Sequence, residues 1–240
     1  MKNHHRFLRV AFLTVVVAVL VGSHVSGQVS RQDSSKVQQS VRFADQIAAY
    51  LKQDSTNPPP KNAIVFIGSS IFRQWAHLKV QMAPLPVFNR AFGGSRTIEV
   101  LRQVETLILP YEPRIVVYYC GSNDVNAGIS ASEILHNFKS FCDKVSGELP
   151  KTKIFFVSIN RAPQKMNRWN VVDSANTLVK KYCESTPHRG YIDVNPVLFD
   201  NDGKPKMELY RDDKLHFKDP AYEEFTKVIK PVLETAWKQY

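Results

Sequence analysis

Five short apolar runs, at 63–67, 87–91, 115–120, 153–159 and 190–194, are separated by longer stretches with helical spacing at 96–109, 130–149 and 169–185, and followed by another at 220–239. Most of the runs are continuously apolar rather than alternating, which is the pattern of strands covered on both faces. Strands and helices in alternation require right-handed crossovers. The chain therefore predicts an α/β fold with a parallel sheet between two helical layers, a three-layer α/β/α sandwich. With 240 residues, 43% of them apolar, and no repeat or low-complexity tract, it suits one core built from 63–240.

The first 27 residues read as an export signal. Lys2, Arg6 and Arg9 make a basic start, 10–21 is an apolar run, and 22–27 is a small polar tail that can be cut after Gly27. The run falls short of the about 20 residues that span a bilayer, and an uncleaved N-terminal anchor is the alternative. No cysteine follows it, so a bacterial lipid anchor is not indicated. The expected location is the periplasm or the exterior. Residues 28–62 then form an N-terminal helix and connector. Val37, Val41, Phe43, Ile47, Ala48 and Leu51 predict a helix over 36–53 that packs on one face, and 55–61, with three consecutive prolines, ends it stiffly.

The formal charge is +10, and removing the three basic residues of the leader, which holds no acid, leaves +7. The basic residues are scattered, with Lys180-Lys181 and Lys204 to Lys206 the nearest to a patch, so they read as a solvated face and not as a nucleic-acid site. Cys120 ends an apolar run and reads as a small buried hydrophobe. Cys142 and Cys183 lie on predicted helices and pair only if the fold brings them together. No Cys-x-x-Cys or His-x-x-x-His spacing suggests a metal, and no glycine-rich phosphate signature suggests a nucleotide or flavin. No cofactor is expected.

Three of the apolar runs stop at a small polar or glycine motif: Gly68-Ser69-Ser70, Gly93-Gly94 and Gly121-Ser122-Asn123-Asp124. The carboxyl ends of the strands in an open parallel sheet line one crevice, so these motifs face one another there. Ser70 stands where a strand turns into a short helix at 71–75, and the amides of a helix start favour negative charge. Taken alone, Ser69 and Ser70 also read as helix caps, Gly93-Gly94 as a turn with positive φ, and Asn123 as a strand-end turn residue. The functional readings are a nucleophile at Ser70, an amide approaching substrate at Gly94 and a side-chain donor at Asn123. A serine hydroxyl needs a base to take its proton, and the base works best when a carboxylate orients it. Asp213-Lys214-Leu215-His216 supplies both within one short loop, with Asp212 a second candidate acid.

The four motifs in this order resemble the SGNH hydrolase superfamily, also called the GDSL-type esterases and lipases, over most of the chain beyond Pro60. The stretches Phe66-Ile67-Gly68-Ser69-Ser70-Ile71-Phe72-Arg73-Gln74-Trp75 and Asn89-Arg90-Ala91-Phe92-Gly93-Gly94-Ser95 are similar to a bacterial subgroup related to platelet-activating-factor acetylhydrolase-like proteins. The resemblance implies a flavodoxin-like five-stranded parallel sheet of order 2-1-3-4-5. It also implies Ser70 as nucleophile, His216 as base oriented by Asp213, and an oxyanion hole from the Ser70 amide, Gly94 and Asn123. One position departs from the family pattern: Ser69 stands in place of the aspartate of Gly-Asp-Ser, which is neither nucleophile nor base.

The expected activity is hydrolysis of carboxylic esters on a small molecule or a glycan. Short acyl groups are expected, because no long apolar insertion forms a lid. The loop at 160–169, with Arg161, Lys165 and Arg168, leaves the fourth strand at the same rim and reads either as a leaving-group contact or as a solvated basic loop. An acyltransferase with the same triad and a non-catalytic binding module on the same fold are the alternatives.

Overall fold

The central strands are almost entirely Val, Ile, Phe and Tyr, and side chains of that kind leave water only if both faces of the sheet are covered. A computed structural model describes residues 43–240, so the predicted leader and the first part of the predicted helix at 36–53 lie outside the described residues. Five strands form the sheet: β1 (Ile64–Gly68), β2 (Val87–Asn89), β3 (Ile115–Tyr119), β4 (Lys153–Val157) and β5 (Arg189–Ile192). All pairings are parallel, in the order 2-1-3-4-5 that the resemblance implies. The order reverses between β1 and β3, whose register sets Gly68 opposite Tyr119. That reversal opens a crevice at the carboxyl ends of these two strands.

The helices are α1 (Ala44–Thr56), α2 (Ser70–Arg73), α3 (Leu78–Met82), α4 (Thr97–Arg102), α5 (Val104–Leu107), α6 (Ser122–Asn126), α7 (Ala131–Glu148), α8 (Trp169–Glu184) and α9 (Asp219–Lys238). On one face of the sheet Ile64, Phe66, Val117 and Tyr119 share a core with Tyr222, Phe225, Ile229 and Leu233 of α9. Their spacing of three or four residues makes one buried stripe, each side chain contributing about 1.5–3 kcal/mol. On the other face Tyr118 packs against Phe138 and Phe141 of α7 and Phe156 of β4. The three-layer expectation is met.

Four local expectations are corrected. The predicted helix at 96–109 is two short helices broken at Gln103. The third motif opens helix α6 instead of a simple turn, and α3 was not anticipated. Helix α1 runs through Ser55 and Thr56 before the prolines stop it. Its predicted apolar face packs only in part: Phe43 is buried and Ile47 half-buried, but Ala48 and Leu51 are exposed, and Gln46, Tyr50 and Asp54 are half-buried beside it. Cys120, Cys142 and Cys183 are buried and unpaired. Burial pushes the thiols of Cys142 and Cys183 up to about 12. Among the described residues no helix is long and apolar enough to cross a membrane.

Candidate active site

Ser70 owes its place to a glycine. Gly68 closes β1 with φ +142°, and a Cβ there would lie 1.8 Å from the carbonyl oxygen of Tyr119. Only glycine lets the ends of β1 and β3 approach this closely. The Ser69 amide then donates to the Tyr119 carbonyl at 3.0 Å, and Ser70 begins α2. Its amide is thus one of the first-turn donors without an intrahelical acceptor. Ser69 occupies the N-cap position, but its side chain makes no capping hydrogen bond. Helix α2 is held from two sides: the Tyr222 hydroxyl donates to the Ile71 carbonyl at 2.9 Å, and Asn89 Nδ2 donates to the Phe72 carbonyl at 2.6 Å.

The second and third motifs are tied to the first through two carbonyls. Gly68 O accepts from the Phe92 amide at 2.9 Å and from Ser95 Oγ at 3.1 Å. Ser95 O accepts from Asn123 Nδ2 at 2.9 Å and from Cys120 Sγ at 3.3 Å. Gly94, with φ +80°, makes the turn between them. Asn123 is therefore oriented on the residue that follows Gly94, with one of its two amide hydrogens engaged. Asp124 plays a supporting part. Its carboxylate accepts from the Thr97 amide at 3.0 and 3.1 Å and from Thr97 Oγ1 at 2.5 Å, fastening the third motif to the start of α4. Burial pushes its carboxyl up, against the lowering effect of the Thr97 bonds.

The fourth motif folds on itself. Asp213 Oδ1 accepts from the amides of Leu215 and His216 at 3.0 and 2.9 Å, with Lys214 in the left-handed region at φ +56°. A bridge between Tyr210 and Phe217 and a bond from the Arg211 amide to His216 O at 2.8 Å close the loop. From this frame His216 Nδ1 meets Asp213 Oδ2 at 2.5 Å, and His216 Nε2 meets Ser70 Oγ at 3.0 Å. Although burial alone pushes the Asp213 carboxyl up, the hydrogen bonds from His216 and Leu215 outweigh it and hold it down at about 2. Asp212 is exposed and makes no hydrogen bond to His216.

Of the basic residues in the loop at 160–169, Lys165 and Arg161 are engaged within the protein, whereas Arg168 is exposed. Lys165 is 5% exposed, and its ammonium donates to Ser122 O at 2.9 Å and Ser122 Oγ at 2.7 Å. Burial pulls it down to about 8. The neighbouring Gln164 amide donates to Lys214 O at 3.1 Å, so this loop braces both the Asn123 and the His216 segments. Arg161 pairs with Asp173 at 2.6 Å. Ser95, Thr97 and Asp124 thus support the site without a role in the sequence reading, and Lys165 supports it through Ser122, a contact that neither reading of its loop included. Only Asp124, inside the Gly-Ser-Asn-Asp motif, carried a visible signal.

A family model described as GDSL-like lipase/acylhydrolase matches residues 68–224, which includes all four motifs. The chain belongs to this family. The esterase is accordingly a carboxylic ester hydrolase by family. Among solved structures it is similar to a Streptococcus pneumonia protein provisionally described as a platelet activating factor (19% identity, TM-score 0.69, covering 88% of this chain and 100% of the other). A GDSL-like lipase from Bacteroides thetaiotaomicron has 17% identity and a TM-score of 0.66, covering 79% and 98%. A carbohydrate esterase family 3 protein from Talaromyces cellulolyticus has 18% identity and a TM-score of 0.61, covering 74% and 98%. At these identities the esterase shares a fold with them. No curated protein matches it.

Proposed function

We propose that this esterase hydrolyses short-chain, acetyl-type esters through a Ser70–His216–Asp213 triad and an acyl-enzyme. The observation that carries the reading is the 3.0 Å contact between His216 Nε2 and Ser70 Oγ, with Asp213 on the opposite ring nitrogen. His216 takes the proton of Ser70 as its oxygen attacks the ester carbonyl, and returns it to the departing alcohol. Asp213 holds the proton on Nδ1 and stabilises the imidazolium. The amides of Ser70 and Gly94 and the side chain of Asn123 donate to the oxyanion. Water activated by His216 then releases the acid and restores Ser70.

A short acyl group follows from the absence of a long apolar insertion between the motifs. The likeness to a carbohydrate esterase makes an acylated glycan a candidate substrate. The basic, then apolar, then small polar leader at 1–27 supports export, with 63–240 as the catalytic domain after the N-terminal helix and connector. The test is hydrolysis of p-nitrophenyl acetate and butyrate by the wild type and by Ser70→Ala. Activity on acetate that vanishes in a folded Ser70→Ala protein is the expected result. Equal activity in both proteins would remove Ser70 from the mechanism.

A further inference from the structure

Helix α1 lies outside the stretch that matches the family, which begins at Gly68, yet three of its side chains close on the turn that carries Gly94. Gln46, Tyr50 and Asp54 are four residues apart, so one helix face presents all three. Gln46 Oε1 accepts the Gly93 amide at 2.9 Å. The Tyr50 hydroxyl donates to the Ala91 carbonyl at 2.6 Å. The Asp54 carboxylate accepts from the Arg90 guanidinium and from the Tyr111 hydroxyl. Arg90 is 4% exposed, and its guanidinium lies 4.8 Å from the centre of the Tyr50 ring and 5.1 Å from those of Phe88 and Tyr111. Ascending the helix, Gln46, Tyr50 and Asp54 take positions 93, 91 and 90 of the turn in descending order.

Gly93 is confined as well as bonded. A Cβ there would lie 3.3 Å from Arg73 Cδ and 3.6 Å from Gln46 Oε1, so this peptide is held between α1 and α2. Two successive glycines have more backbone freedom to lose than any other pair, and a turn made of them is ordered only if something outside it holds it. An oxyanion donor acts through being fixed before the charge forms.

We propose that α1 is a clasp on the oxyanion turn and that Gln46 is a positioning residue: by accepting the Gly93 amide it sets the peptide from which Gly94 is presented to the substrate oxygen. The proposal rests on the ester-hydrolysis reading of Ser70 and Gly94 given above. It makes one face of α1, ahead of the family-matched stretch, a support of the oxyanion turn.

The test uses the full chain with Gln46→Met, which keeps the shape and loses the acceptor, and Gln46→Glu, which keeps an acceptor oxygen, with Leu51→Ala on the exposed side of α1 as control. With p-nitrophenyl acetate, Gln46→Met is expected to lower kcat about tenfold, the size of one lost hydrogen bond, with KM within about twofold. Gln46→Glu is expected to restore kcat to within about threefold of wild type, and Leu51→Ala to match it. Amide hydrogen exchange of 90–96 is expected to quicken in Gln46→Met alone. Wild-type kcat in Gln46→Met, or equal losses in the Met and Glu variants, would overturn the proposal. If the wild type hydrolyses no ester, or Ser70→Ala remains active, the reading of the site fails instead. Hydrogen exchange in the same variants then decides whether Gln46 orders the turn, and unchanged exchange would overturn it.

Discussion

His216 Nε2 stands 3.0 Å from Ser70 Oγ although 146 residues separate them in the chain. Ser70 is placed by the end of β1 and His216 by a loop that leads into α9, and α9 itself returns to hold α2 through Tyr222. The contact therefore depends on the α9 face of the core as much as on the two residues.

Replacing Asp213 by Asn alters the proton on His216. An asparagine amide can present N–H to Nδ1, which leaves the proton on Nε2, where it cannot accept from Ser70. The expected result is a kcat lower by on the order of 10⁴-fold, with KM little changed. Steady-state kinetics on p-nitrophenyl acetate measure it; a loss confined to KM would contradict the orienting role.

The same carboxyl links stability to acid. Its ordinary value of 3.8 is lowered to about 2 in the folded protein. Its contribution is therefore complete above the unfolded value and fades as pH falls toward the folded one. Wild type is expected to lose stability relative to Asp213→Asn between pH 4.5 and about 2, followed by urea unfolding at each pH. The side chain is 43% exposed, so the effect is small.

Asn123→Ala removes one proposed oxyanion donor and its bond to Ser95. The expected loss is about 10²–10³-fold in kcat, with the thermal midpoint shifted by only a few degrees. A kcat within threefold of wild type would take Asn123 out of the oxyanion hole.

Lys165 shares the direction of Asp213 but not its cause: burial, and not hydrogen bonding, lowers its value. In the unfolded chain it keeps its proton up to its ordinary value of 10.5, whereas burial in the fold brings it down to about 8. Between these values the unfolded state binds more protons, so stability rises with pH. The stability of wild type minus that of Lys165→Met is expected to grow by about 2 kcal/mol between pH 8 and 9.5. A flat difference over that range would mean that the ammonium is not desolvated.

Gly68→Ala forces a methyl group into the Tyr119 carbonyl at a positive φ. Loss of soluble, cooperatively unfolding protein is expected, checked by circular dichroism during thermal unfolding. A folded Gly68→Ala protein with normal activity would show that β1 and β3 can separate at this end.

The strands and long helices could be read from composition and period, because burial on both faces leaves no polar position in β1 or β3 and one apolar stripe on α9. The catalytic candidates were legible for a related reason: a residue at the carboxyl end of a parallel strand has its place set by the sheet, so Ser70, Gly94 and Asn123 stood where local motifs put them, and Asp213 and His216 shared one loop.

What the sequence by itself determined is thus the fold class and the chemical types at the strand ends, since both follow from local pattern. Tertiary structure alone decided the rest. The hydrogen bonds of Gln46 to Gly93, Asp124 to Thr97 and Lys165 to Ser122 join residues 47, 27 and 43 positions apart. A glutamine on a half-exposed helix and a lysine in a basic loop carry no mark of such partners, because a hydrogen bond depends on the position of both groups in space, and the chain encodes that only through packing of the whole core.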